Sequence, residues 1–239
     1  MPTLVVTPKQ VGPGGHGLAL HVGEEEGAAQ AAEFLAGAPP TQPARFWVSD
    51  AERQRRYQAR VAEITPEHVG CVAILDEEQV RPMNGHLRPV ETIAQFVSGH
   101  PDGVTGAADT LDRHWSSTTV PNYLEYEAWF QAQSRDASRF LCPYDLRRLP
   151  PGVAPQVLRE LGRHHSHVVL SESQDPAVLL LELFVFGRPE AIPPRLAPAL
   201  DWARRCGYVR DGRGDEDLAL TEAGERLVRT WSDSATVDW

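Results

Sequence analysis

The chain has 239 residues, a net charge of −10 and 41% hydrophobic residues, enough for one large domain or a medium and a small one. The negative field repels nucleic acid and acidic membranes, so either would need a local basic surface. No apolar run approaches the ~20 residues that span a bilayer. Residues 1–11 lack the basic start and long apolar core of a signal peptide. A soluble, cytoplasmic protein without a membrane partner is expected. Cys71, Cys142 and Cys206 are few, odd in number and far apart, which predicts reduced thiols rather than a disulfide framework.

In chain order, residues 1–15 hold three prolines and three glycines and predict a loose arm or an edge segment. Residues 18–22 predict a first strand. Residues 24–36 predict a helix with three acids in its first turn, where the dipole favours them. Residues 46–48 predict a second strand, with Asp50 capping a mostly exposed helix over 51–64. Residues 71–75 are wholly apolar, the pattern of a strand buried on both faces. A polar linker over 76–88, a helix over 90–97 and a small-residue strand over 104–108 follow. Residues 109–120 read as irregular, and 121–134 as a helix with Pro121 in its first turn.

Residues 139–173 organise the rest. An apolar run over 139–142 stops at Pro143-Tyr144-Asp145. A helical pattern follows, with Val153, Val157, Leu158 and Leu161 at spacings of three and four. Then come His164, His165, His167 and the apolar run Val168-Val169-Leu170. This outline predicts a strand-helix-strand unit with a parallel pair. Ligands in open parallel sheets sit at the carboxyl ends of strands, which places Cys142, Tyr144 and Asp145 where a site is expected. The alternation of strands and helices predicts an α/β fold: a mostly parallel sheet flanked by helices in three layers, Rossmann-like or RecA-like.

Several of these segments together resemble the MEDS sensory domain (methanogen/methylotroph, DcmR-type). They are Leu141-Cys142-Pro143-Tyr144-Asp145, Arg147-Arg148-Leu149-Pro150, His165-Ser166-His167, the helix around Tyr123–Glu127 and the strand opened by His16. The likeness covers roughly residues 12–174. It implies a fold akin to RecA-like ATPases, sensing of simple hydrocarbon derivatives, and a pocket that pairs His16 with Cys142. Many members have Gly-Glu-Met where this chain has Gly106-Ala107-Ala108. A phosphate cradle needs a lysine and glycines after the first strand. That position reads Gly23-Glu24-Glu25-Glu26-Gly27, so ATP hydrolysis is not expected.

The candidate ligand-binding residues are His16, Glu127, Cys142, Tyr144, Asp145, His165 and His167. His165 and His167 share a face if residue 166 lies in a strand. Each also has an ordinary reading: cysteine packs as a small hydrophobe, histidines cap a helix end, and a helical glutamate is solvated. Zinc sites take four ligands, usually at tighter spacing than these residues offer, so neither a metal centre nor another cofactor is expected.

Residues 175–239 change character. A helix, an apolar strand, a polar tip, a second strand and Leu220-Thr221-Glu222-Ala223-Gly224 resemble the recognition helix, wing and last helix of winged-helix domains. Arg195, Arg204 and Arg205 are the candidate DNA-binding residues. Residues 188–230 nevertheless carry eight arginines against eight acids, whereas DNA-binding modules usually carry a basic patch. The expected organisation is an arm (1–15), a sensory domain (16–174) and a winged-helix-like module (175–239). The expected function is a homodimeric, ligand-sensing transcriptional regulator with a small organic ligand and possible DNA contact. An enzyme using Cys142 as nucleophile with His16 or His165 as base, and a protein-interaction module, remain open.

Overall fold

The computed structural model describes residues 3–5, 7–21, 23–75, 89–109, 127–132, 134, 137–145, 161–169, 197–211 and 218–227. Among these residues, seven strands form one sheet: β1 (Thr3–Val5), β2 (His16–His21), β3 (Ala44–Val48), β4 (Val72–Ile74), β5 (Thr105–Ala108), β6 (Arg139–Asp145) and β7 (His167–Val169). Their order is β1-β7-β2-β6-β5-β3-β4, and every pairing is parallel. The two central strands, β2 and β6, are buried at every position.

Helices cover both faces. α1 (Glu24–Ala36) and α2 (Ala51–Ile64) lie on one side. Ala28, Ala31, Phe34 and Leu35 of α1 share a buried cluster with Ala19, Ala107, Leu141 and Val169 of the strands. Phe46 stacks on Tyr57 of α2, centroids 4.9 Å apart. On the other face, α3 (Pro89–Ser98) sets Phe96 edge-on to Trp47, and helical residues 127–132 set Phe130 edge-on to Phe140. Burying one such aromatic or aliphatic side chain stabilises the fold by roughly 1.5–3 kcal/mol. The layered α/β architecture read from the sequence is thus present.

Local chemistry explains the element ends. Asp50 caps α2, its Oδ1 accepting the Arg53 N–H at 2.8 Å. α2 buries Arg53, Tyr57 and Val61 at intervals of four, so the exposure expected of this helix stops at its inward stripe. Gly23 begins α1 with φ of 101°, a backbone region that disfavours a side chain.

Three expectations are corrected, and one left open is decided. First, the wholly apolar segment at 71–75 is not buried on both faces. β4 is an edge strand, Ile74 is 42% exposed, and Cys71 ends a 3-10 helix. Its hydrophobicity reads the same in an edge strand that covers only one side.

Second, β6 does not stop at Pro143. The Arg139 N–H donates to Val104 on the β5 side and the Phe140 N–H to Gly15 on the β2 side. Alternation therefore points Pro143 toward β5, whose ladder with β6 ends at Leu141. The missing donor costs no ladder bond, so a central strand tolerates the proline.

Third, the strands of the strand-helix-strand unit are not neighbours: β2 lies between β6 and β7. Of the two readings of residues 1–15, a loose arm or an edge segment, the described residues take the second. β1 pairs with β7, and Val11 is fully buried.

In the C-terminal region, α4 (Ala197–Arg205) precedes an antiparallel hairpin, β8 (Val209–Asp211) with β9 (Leu218–Leu220). Thr221 accepts the Gly224 N–H at 3.1 Å and donates to the Gly207 carbonyl at 2.6 Å, capping helical residues 222–227 as its position suggests. The readings for 76–88, 110–126, 146–160, 170–196 and 228–239 lie outside the described residues, as does Arg195. No helix among the described residues is long and apolar enough to cross a membrane.

Candidate functional site

Parallel register fixes which side chains share a face. His16, Leu18 and Leu20 of β2 lie beside Phe140, Cys142 and Tyr144 of β6, on the side covered by residues 127–132. The segment before β7 brings His165 to the same place. His16, Glu127, Cys142 and His165 are all buried. One ligand-type atom from each lies within 4.8 Å of every other.

The contacts are specific. His16 Nε2 is 3.2 Å from Cys142 Sγ and 3.3 Å from Glu127 Oε2. His165 Nε2 is 3.2 Å from the same Oε2. The two imidazoles stack with centroids 4.0 Å apart, and Phe130 also stacks with His16, centroids 5.8 Å apart. The Tyr144 hydroxyl donates to the other carboxylate oxygen, Glu127 Oε1.

Backbone carbonyls set the tautomers. His16 Nδ1 lies 2.9 Å from the His164 carbonyl, and His165 Nδ1 lies 2.6 Å from that of Leu161. A carbonyl only accepts, so each Nδ1 carries a proton, and each ring turns its Nε2 into the cluster. The Ser166 hydroxyl locks the strand entry, accepting the His16 N–H at 2.8 Å and donating to the His16 carbonyl at 3.1 Å.

Burial and the neighbouring His165 lower the His16 pKa to about 4, so it is neutral at pH 7. Burial opposes ionisation of Glu127, yet the nearby His165 and His16 outweigh it and hold the carboxyl well below its usual range. Burial, and then the Glu127 charge, push the Cys142 thiol well above its ordinary value. Such a thiol is a poor nucleophile as it stands.

Comparison with family models and with curated proteins returns no match.

The structure therefore unites His16, Glu127, Cys142 and His165, with Tyr144 behind Glu127. It separates the other two candidates. His167 is in register with Gly17 and hence on the opposite face, where the Nδ1 of its half-buried ring lies 2.8 Å from the Ser166 hydroxyl. Residues 165 and 166 precede β7, so the strand alternation expected to align His165 with His167 never begins. Asp145 also faces away, its Oδ1 accepting the Gly23 N–H at 3.4 Å ahead of α1.

The site's position is corrected too. It lies on a face of the sheet, with His16 at the amino end of β2 and Cys142 at the middle of β6, not at the carboxyl ends. Near those carboxyl ends is a network the sequence reading missed. Buried Arg53 donates to Asp109 Oδ2 at 2.9 Å and to Glu24 Oε1 at 3.4 Å, and Glu24 also pairs with Arg56. The spacing of Arg53 with Tyr57 and Val61 was the available signal, since it puts Arg53 on the inward stripe of α2.

The expectation that no metal centre exists rested on sequence spacing. Folding replaces that spacing with four convergent donors, a set able to hold a cation.

In the C-terminal region, Arg204 donates to Asp211 at 2.7 Å and lies 3.7 Å from Asp201. Arg205 is exposed on the same helix. One of the candidate DNA-binding cations is therefore already paired with carboxylates.

Proposed function

We propose that the protein is a ligand-sensing regulator, a homodimer of the cytoplasm, whose α/β domain binds a small organic molecule beside the His16–Glu127–Cys142–His165 cluster. The winged-helix-like C-terminal region carries the bound state to DNA or to a partner. The observation that carries this reading is the convergence itself. Four titratable side chains from four chain segments meet on an otherwise apolar sheet face. Stability does not ask for that arrangement, since burying such groups is costly. The MEDS resemblance supplies the ligand class, simple hydrocarbon derivatives, and three free cysteines suit a reducing compartment.

A sensor is favoured over an enzyme because the thiol and both imidazoles are 0–4% exposed and the thiol is held protonated. A nucleophile must meet its substrate as a thiolate. The ion pairs of Arg204 favour a second reading of the output, in which α4 contacts a protein rather than phosphates.

The test is thermal melting of the full-length protein with short-chain alcohols, aldehydes and halogenated alkanes, followed by hydrogen exchange with any compound that binds. The expected result is that at least one compound raises Tm and alters exchange in residues 197–227. If none of the panel raises Tm, the small-organic reading falls. Binding without any change in 197–227 would remove the transmission step.

A further inference from the structure

We infer that His16 Nε2, His165 Nε2, Glu127 Oε2 and Cys142 Sγ together bind one zinc-class divalent cation. This rests on reading the cluster as a binding site, and adds what the site holds.

The first ground is donor geometry. Both Nδ1 atoms are spent on backbone carbonyls, the outer-shell arrangement that orients a metal-binding imidazole. Both Nε2 atoms then face the same carboxylate oxygen, Glu127 Oε2, at 3.2–3.3 Å. Lone pairs at that distance repel unless something positive lies between them. Glu127 Oε2 and His165 Nε2, both fully buried, lack a hydrogen-bond partner despite their proximity.

The second ground is size. Ligand bonds of about 2.0–2.1 Å to nitrogen and oxygen and about 2.3 Å to sulfur give tetrahedral edges of roughly 3.3–3.6 Å. Three of the six separations, at 3.2–3.3 Å, approach that spacing, and all six lie within 4.8 Å. The third ground is chemistry. Two imidazoles, one thiolate and one carboxylate suit zinc or cobalt and disfavour magnesium and calcium, which want oxygen alone.

Four protein donors fill a tetrahedron, so this is a closed centre. It ties β2, β6, residues 127–132 and the segment before β7 together. Tyr144 restrains Glu127 through its other oxygen. On binding, the Cys142 S–H bond breaks, its proton leaves to solvent, and the sulfur electron pair goes to the metal. The cation supplies the positive charge that the apolar surroundings withhold from the thiolate.

The test uses the full-length chain, stripped with chelator under reducing conditions and titrated with Co²⁺ alone. The expected result is saturation at one equivalent, with visible absorption of a four-coordinate ion and a thiolate-to-cobalt charge-transfer band. The band persists in the Cys71→Ser/Cys206→Ser double variant, which keeps Cys142 as its single cysteine. It disappears in Cys142→Ser, and Glu127→Gln weakens uptake by about tenfold or more. Absence of saturable uptake, or of the band in the double variant, overturns the inference. So does an undiminished band in Cys142→Ser. If Cys142→Ser fails to fold, the double variant decides alone, because it alters no residue of the cluster. A failed cobalt titration beside an intact response to organic compounds would remove the metal and leave the sensor. The reverse pattern would leave the metal and remove the sensor.

Discussion

A buried arginine shows how much one residue holds here. Arg139 opens β6, is 3% exposed, and is held by neutral acceptors: it donates to Thr105 Oγ1 at 3.1 Å, the Val11 carbonyl at 3.1 Å and the Phe34 carbonyl at 3.0 Å. Its guanidinium also lies over the Phe34 ring, 4.6 Å from the centroid. Burial lowers its pKa to about 10, so it remains a cation at neutral pH. Three carbonyl or hydroxyl acceptors at fixed angles suit a planar fork and not a single ammonium. Arg139→Lys is expected to cost about 2–4 kcal/mol, from acceptors left unpaired. Urea denaturation measures it, and a loss below about 1 kcal/mol would mean that lysine and water replace the fork.

At the scale of elements, α1 sits so close to the sheet that its glycine matters. A Cβ on Gly27 would come 2.5 Å from Nε2 and 2.6 Å from Cε1 of His21. That ring is buried, and its Nδ1 lies 2.9 Å from the Gly23 carbonyl, so it cannot swing clear cheaply. Helix propensity alone would make Gly27→Ala stabilising by about 1 kcal/mol. Overpacking costs about 1–3 kcal/mol, and here we expect it to win. Thermal melting should show a lower Tm for Gly27→Ala, and a higher one would show that α1 can lift from β2. The helices over 24–36 and 51–64 were legible in the sequence because caps and spacing are local. The edge position of β4 was not legible, since a short apolar run looks alike at the centre and the rim.

For the whole molecule, the amino-terminal segment closes the sheet. β1 covers the open side of β7, Val11 lies in the core, and its carbonyl anchors Arg139. Removing residues 1–11 should lower Tm by roughly 5–10 °C, if about 3 kcal/mol is lost in a domain of this size. A dispensable arm would leave Tm within about 2 °C. Deletion also leaves β7 as an unpaired edge, so concentration-dependent aggregation should accompany the lower Tm.

The sequence by itself determined the α/β class and most element types, and it singled out residues that the cluster uses. His16, Glu127, Cys142, Tyr144 and His165 were all legible as candidates, because reactive residue types at strand starts and on an aromatic helix stand out locally. Only the tertiary structure decided which of them meet. His165 joins the cluster and His167 turns away because β7 begins at His167, and a strand's alternation is counted from its first residue. Cys142 reaches His16 because β2 inserts beside β6, a pairing across 126 positions of chain that the MEDS resemblance implied but no local pattern encodes. Sequence spacing argued against a metal for the same reason: ligand spacing along the chain is informative for a local loop, whereas this cluster is assembled by sheet order.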